Sequence, residues 1–393
     1  MSVRTILVGM WARRTLSLLL AMVAMFILPH RITEMGAGTL MEPGGRRALA
    51  EGVAHWVEQP LAAGRFATGS TRFDAEWLFG TYMMASMGFS QEALQSANQA
   101  EREKCLERSR LALEKLFSVE ARAFDSAAWS EDPLASLSGS NGHAAYLGYL
   151  NLAISVWRLA HERSDMPDSL LGRRLVEWND EIASTLTRRL AEEPRGLLET
   201  YPGEIYPVDN ALGVASIAIA AQARGEAVPS VVVHYMELLR AKYIDPSSGL
   251  LVQSTTRAGD PHDRPRGSGT MLLTYVFSFV DFEFSREIWN KASTELYGET
   301  LGFGMMREYA RNNEGHGDID SGPVILGNGI SSTGFAIASA LRFGDNKMAR
   351  SLIATAWMFG VPVRSDKVTH FAMGGPIGDA ILFAMMSAPR GHR

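Results

Sequence analysis

The chain reads as an all-α protein, an α/α toroid of the (α/α)6 type built from six helical hairpins behind an N-terminal membrane segment. Three observations predict this. From about residue 45 two kinds of helical segment alternate, one amphipathic and charged, the other apolar nearly all round, as a helix buried on both sides must be. Alternating β-branched runs are almost absent, so a sheet-based core is not expected. Finally, Gly196-Leu197-Leu198, Gly249-Leu250-Leu251 and Gly302-Phe303-Gly304 recur at a spacing of 53 residues. Each is followed by a short extended piece, a polar loop and an apolar helix, and a fixed period of this length marks stacked copies of one supersecondary unit.

The N-terminus reads as a targeting or anchoring segment. Arg4, Arg13 and Arg14 precede the apolar run Thr15 to Pro29, a positively charged region followed by a hydrophobic one. The run is short for a full span, which takes roughly 20 residues. Arginines before it keep residues 1–14 cytoplasmic and send the body across. Residues 1–30 are therefore expected to form an uncleaved signal anchor in the cell membrane, with residues 31–393 a single extracytoplasmic catalytic domain. A cleaved signal peptide with a secreted body is the alternative. The outer, charged helices are expected at 45–58, 101–118, 170–193, 228–243, 284–298 and 346–359. The inner, apolar ones are expected at 72–87, 141–160, 206–222, 267–280, 321–341 and 375–387.

Composition bounds the function. With 393 residues, 46% hydrophobic and 21% charged, the chain can bury a large core. A net charge of -5 and the lack of a basic patch with interleaved aromatics argue against nucleic acid as a partner. The single cysteine, Cys105, excludes an internal disulfide and any CxxC metal site. It lies in the charged run EREKCLERSR and reads as an outer-helix thiol.

Polar residues gather at the starts of the inner helices, as one funnel-shaped site requires. Asp74 and Trp77 open the first, Asn141, His143 and Tyr146 the second, and Glu204, Tyr206, Asp209 and Asn210 the third. His262 precedes the fourth, and His370 and Asp379 belong to the sixth. The stretch Glu314 to Leu341 sets His316, Asp318 and Asp320 between glycines ahead of the fifth, although Asp and Ser also serve as ordinary helix caps there. Sharper motifs fail: HExxH, a P-loop, GxSxG and a Rossmann fingerprint are all missing. DIDSGP begins like a calcium loop, but Gly322, Pro323 and Gly329 stand where two ligands and the required Gly belong. No metal and no cofactor are expected.

Four stretches together resemble the linalool dehydratase/isomerase family over roughly residues 140–360. They are GHAAYLGYLNLAISVW, EPRGLLETYPGEIYPVDNALGVASIAI, KYIDPSSGLL and SGPVILGNGISSTGFAIASALRFGDNKMARSLI. The shared features are a Gly-His opening an inner helix, a Pro-x-Asp-Asn (Pro207, Asp209, Asn210), an Ile-Asp-Pro-x-x-Gly (Ile244 to Gly249) and a Gly-rich buried helix. The resemblance implies an exported, oligomeric helical toroid with its catalytic histidine at His143. The family's two active-site cysteines would fall near Ile205 or Tyr206 and near Ala215, where this chain has none.

The resulting expectation is an acid–base lyase or isomerase acting on a small, possibly terpenoid, alcohol. His143 and Asp209 would exchange protons, Tyr206 would replace a thiol, and Asp318, Asp320 and Asp74 would be further catalytic candidates. Trp77, Asn141, Tyr146, Asn210 and His316 would hold the small-molecule substrate, in a possible homo-oligomer tethered to the membrane. One alternative is a glycoside hydrolase or polysaccharide lyase with paired carboxylates, for which the aromatic supply would suit sugar rings. Another is a non-catalytic membrane-anchored binding domain.

Overall fold

The computed structural model describes residues 3–391 apart from 320 and 366, and for residues 3–9 and 26 the backbone alone. It is mostly helical. Helices α1 (Val3–Met22) and α2 (Leu28–Met41) are joined without a break by the π-turn Val23–Ile27. The stretch Met10–Met41 is long and apolar enough to cross a membrane, and its apolar part is not buried against the body. Then follow α3 (Pro43–Glu58), α4 (Thr71–Gln95), α5 (Gln99–Leu116), the short α6 (Ala123–Trp129), α7 (Tyr149–His161) and α8 (Leu175–Glu192). The chain continues through α9 (Pro207–Ala223), α10 (Ser230–Leu238), α11 (Gly267–Phe277), α12 (Phe282–Leu296), α13 (Ile330–Arg342), α14 (Asn346–Gly360) and α15 (Gly375–Met386).

The apolar helices pack in a closed circuit. α4 lies on α7, α7 on α9, α9 on α11, α11 on α13 and α13 on α15, and α15 returns to α4. Close contact at the return seam depends on Gly88, where a Cβ would stand 2.4 Å from the ring of Phe383. Phe89 meets the same ring edge-on at 4.8 Å, and burying a side chain of that size stabilises by about 1.5–3 kcal/mol. The charged helices cover this circuit: α5 on α4 and α7, α8 on α7 and α9, α10 on α9, α12 on α11, α14 on α13, and α3 on α15.

The three recurring glycines all adopt left-handed backbone, with φ of +66° at Gly196, +74° at Gly249 and +84° at Gly302. Such a φ is open to glycine and strained for other residues, which explains why the repeat is written in glycine. Several boundaries differ from the expected ones, and the first inner helix runs on to Gln95 instead of 87. The fifth inner helix begins at Ile330 instead of 321, because Pro323 and left-handed Gly322, Leu326 and Gly327 bend the preceding residues into a hairpin of Val324–Ile325 with Asn328–Gly329. The fourth ends at Phe277. The second opens as a π-turn, Ala144–Gly148, before α7. The third outer helix starts at Leu175, behind a hairpin of Ser169–Leu170 with Arg173–Arg174.

Past the apolar run, α2 lies on α14. Thr33, Gly36, Ala37 and Leu40 form its buried face. A Cβ on Gly36 would stand 2.3 Å from the indole of Trp357, so the two helices meet closely there.

Candidate active site

A cavity of about 470 Å³ opens inside the circuit, and all six inner helices line it from their N-terminal halves. α4 supplies Arg72, Glu76 and Trp77; the turn into α7 supplies Ala145 and Tyr149; α9 supplies Asp209; α11 supplies Ser268; α13 supplies Ser331 and Phe335; α15 supplies Ile377 and Ile381. None of these six helix starts is closed by its own capping side chain. Outer helices α5, α12 and α14, by contrast, are capped by Asn98, Asp281 and Asp345. Near two of these starts Glu76 and Asp209 line the cavity, and a helix N-terminus favours a carboxylate.

Asp209 is the most perturbed of these acids. The Tyr149 hydroxyl donates to its Oδ1 at 2.7 Å. Burial pushes its pKa up to about 6, although hydrogen bonds from Tyr149 and Thr200 pull the other way. Glu76 accepts from the Tyr201 hydroxyl at 3.0 Å, and the Arg72 guanidinium lies 3.9 Å from the centre of the Tyr201 ring. Burial and then the charge of Asp209 hold the Tyr149 phenol protonated, while burial and then the charge of Glu76 do the same for Tyr201. Each phenol also feels the other carboxylate, so Asp209 and Glu76 belong to one cluster. Towards the rim, Tyr206 donates to Glu204 at 3.1 Å, and Asp318 pairs with Arg266 while accepting from the Ser321 amide at 2.8 Å. Against the wall, Ser268 donates at 2.5 Å to the buried Glu308, whose pKa burial lifts to about 7.

Of the residues singled out by sequence, Asp209, Asp318, Glu204, Tyr206 and Trp77 line this cavity; Asp209 reaches it from α9, whereas Asp318 comes from the loop ahead of α13 and not from an inner helix. The others sit elsewhere. Asp74 accepts from the amide and hydroxyl of Thr68 at 2.8 and 2.7 Å and ties down the loop before α4. Asn210 clamps the Leu198 backbone through both ends of its amide. Tyr146 is buried behind the wall with its hydroxyl on the Leu116 carbonyl. Asn141 donates to Glu131, and His316 is exposed outside the lining. Asp320 lies outside the described residues. His370 and Trp56 both reach Asp379, which also accepts from the Phe371 amide. His262 borders a smaller side opening that shares Glu204 and Tyr206 with the cavity.

His143 is the main departure. Its backbone is left-handed (φ +48°) and its side chain is fully buried. Nδ1 stands 2.5 Å from Asp125 Oδ2, Nε2 stands 3.5 Å from Glu131 Oε2, and the Trp129 indole covers the ring at 4.7 Å. Ala145, two residues on, and Phe124, next to Asp125, belong to the cavity lining, whereas His143 does not. The histidine on which the family resemblance places catalysis is thus held between the buried Asp125 and the exposed Glu131, outside the cavity lining.

Sequence inspection passed over Arg72, Glu76, Tyr201 and Gln253, and weighed Tyr149 only as an aromatic ring for stacking on sugars. The usable signals were the helical phase of Trp77, which places residues 73, 76 and 80 beside it, and the extended piece after each repeated glycine, which supplies Tyr201 and Gln253 to the wall. Among the described residues no group of three His, Cys, Asp or Glu side chains is placed to hold a metal ion.

No family model matches the chain, and no curated protein matches it either. Among solved structures it is similar to a polysaccharide lyase, at 12% identity and a TM-score of 0.31, over 81% of this chain and 99% of that one. It is also similar to a glycosyl hydrolase of family 88 from Bacteroides vulgatus, at 12% identity and a TM-score of 0.31, over 80% of this chain and 99% of that one.

Proposed function

We propose that this chain is a membrane-anchored, extracytoplasmic glycoside hydrolase on an α/α toroid of six helical hairpins, with Asp209 as proton donor. The observation that carries this reading is a half-buried Asp209 in the cavity wall, its pKa lifted by desolvation to about 6, grouped with Glu76 in a cavity walled by aromatic rings. Glycosidic cleavage uses such a pair of carboxyl groups, one raised in pKa to protonate the leaving oxygen and one ionised to activate water. Here the Asp209 proton passes to the glycosidic oxygen as its bond to the anomeric carbon breaks. Water adds to that carbon and gives its proton to Glu76. Trp77 and Tyr206 offer faces for sugar rings, and Arg72 and Gln253 offer donors to hydroxyl groups.

The test is a screen of end-labelled oligosaccharides with the wild-type chain and Asp209→Asn. Positioned proton transfer contributes about 100- to 10,000-fold, so the variant should lose turnover within that range while keeping its helical signal. Undiminished turnover in a folded Asp209→Asn protein would remove the residue from the mechanism. A product carrying a new carbon–carbon double bond would assign the site to elimination instead.

A second reading is favoured by the cavity floor, where Phe79, Met84, Leu272, Phe335, Ile377 and Ile381 are apolar. It is the dehydration or isomerisation of a small alcohol, with Asp209 protonating the departing hydroxyl. Turnover of terpenoid alcohols, with none of any oligosaccharide, would select it.

A further inference from the structure

The N-terminal helix leaves the body beside an exposed apolar face. The His30 imidazole meets Phe303 edge-on at 6.4 Å, and Phe303 meets Phe359 at 6.3 Å. The backbone of Gly302 approaches so closely that a Cβ there would stand 2.0 Å from the His30 ring. Around this contact Leu301, Phe359, Val361, Val363 and Met373 are 50–74% exposed. They form one surface: the Ala372 and Met373 amides donate to the Val361 and Gly360 carbonyls, which brings Met373 back beside Phe359.

We propose that this face rests in the extracytoplasmic leaflet of the bilayer that the N-terminal helix crosses. The inference depends on the anchored reading of that helix and not on the reaction in the cavity. Three observations select lipid as the occupant. First, the helix is unbroken from Val3 to Met41, and its last turns are packed on α14, so no linker separates span from body. Second, the apolar run Thr15 to Pro29 measures roughly 22 Å at 1.5 Å per residue, about 8 Å short of a hydrocarbon core of about 30 Å. Beyond the run, Ile32 and Met35 keep the free side of α2 apolar. Lowering the body by that shortfall makes up the length and sets Phe359 and Leu301, level with His30, at the interface. Amphipathic surfaces sink about 5–10 Å there. Third, Arg31, Arg364 and Lys367 are exposed around the face, as contact with anionic headgroups favours. Among the described residues, Glu34 lies by Arg31, His30 and Arg350, and Glu299 accepts from Tyr297.

The test uses the full chain in a Cys105→Ser background, carrying Phe359→Cys or Val363→Cys labelled with an environment-sensitive fluorophore. The protein is reconstituted into phosphatidylcholine–phosphatidylglycerol vesicles doped with lipid bearing a nitroxide near the headgroup. Fluorescence should be lost at both positions and retained at Leu171→Cys, an exposed site before α8, across the ring from α14. Equal loss at all three sites, or none at 359 and 363 in protein that floats with the vesicles, overturns the proposal. Shielding of Phe359→Cys that depends on protein concentration and not on quencher lipid overturns it in favour of a second copy. Protein that stays out of the vesicles overturns the anchored reading and this inference together, and leaves the oligosaccharide assay to judge the cavity separately.

Discussion

Burial drives Asp209 towards its neutral form, while the hydroxyls of Tyr149 and Thr200 favour its anion, and the balance falls near pH 6. In the unfolded chain the same carboxyl titrates near 3.8. The folded state therefore holds the proton more tightly, and this contribution to stability is present below about pH 4 and is lost as pH rises through 6. A rise of that size corresponds to about 3 kcal/mol. Asp209→Asn should accordingly raise the melting temperature above pH 7 relative to wild type, with the gain vanishing at pH 4 in a thermal melt series. If Asp209 is the donor, activity should fall on the alkaline side of about pH 6. Tyr149→Phe removes a bond that holds the pKa down, so that limb should move to higher pH, as a profile of kcat/KM would register. His143→Asn should act differently. It strips the buried Asp125 of its ring partner, and breaking a buried pair costs about 3–5 kcal/mol. The melting temperature should drop, with activity per folded molecule unchanged; a loss of turnover in fully folded protein would contradict a purely structural His143 outside the cavity lining.

At the scale of elements, the alternation of charged and apolar segments was legible because burial on both sides leaves no polar face for a sequence to hide. The phase within those segments was harder to read. Tyr146 looked like a cavity residue one turn after His143, but the π-turn Ala144–Gly148 rotates the helix, so Tyr146 turns back to Leu116 and Tyr149 faces the cavity. A π-turn leaves no mark in composition, so its effect cannot be read from spacing. Asp74 drew attention over Glu76 because acids near a helix start read as functional, yet Thr68 claims Asp74 from the preceding loop. The repeated glycines are a firmer guide. Gly196→Ala places a side chain at φ +66° with its Cβ 2.5 Å from Leu238. A left-handed conformation alone costs about 1–2 kcal/mol, and a lower urea midpoint with an unchanged slope is the expected result.

Across the whole molecule, what sequence could not supply was proximity. Nothing in Asp209 or Glu76 alone announces that α4 and α9 bring them to one cavity; that follows only from the circuit of six helices. The docking of α2 on α14 was equally hidden, since a membrane segment and a core-packing helix share one apolar composition. The model separates the two roles at Gly36. Gly36→Leu should wedge the helices apart at Trp357 and lower the melting temperature of detergent-solubilised protein, whereas Gly44→Leu, where a Cβ meets nothing within 4 Å, should leave it nearly unchanged.

The seamless passage from α1 into α2 also sets how far this protein can reach. A body on a flexible tether sweeps a hemisphere and samples many orientations; one fused to its span by continuous helix can only spin about that axis and drift in the plane. Outer helix α14 ends, and α2 begins, at the end of the ring where the inner helices start, so if the N-terminal helix is the proposed anchor, the cavity stands at one altitude over the lipid. Under the proposed function, a polymer lying farther out than the body is tall would be beyond its grasp, and one threaded along the surface would meet it at a two-dimensional encounter rate.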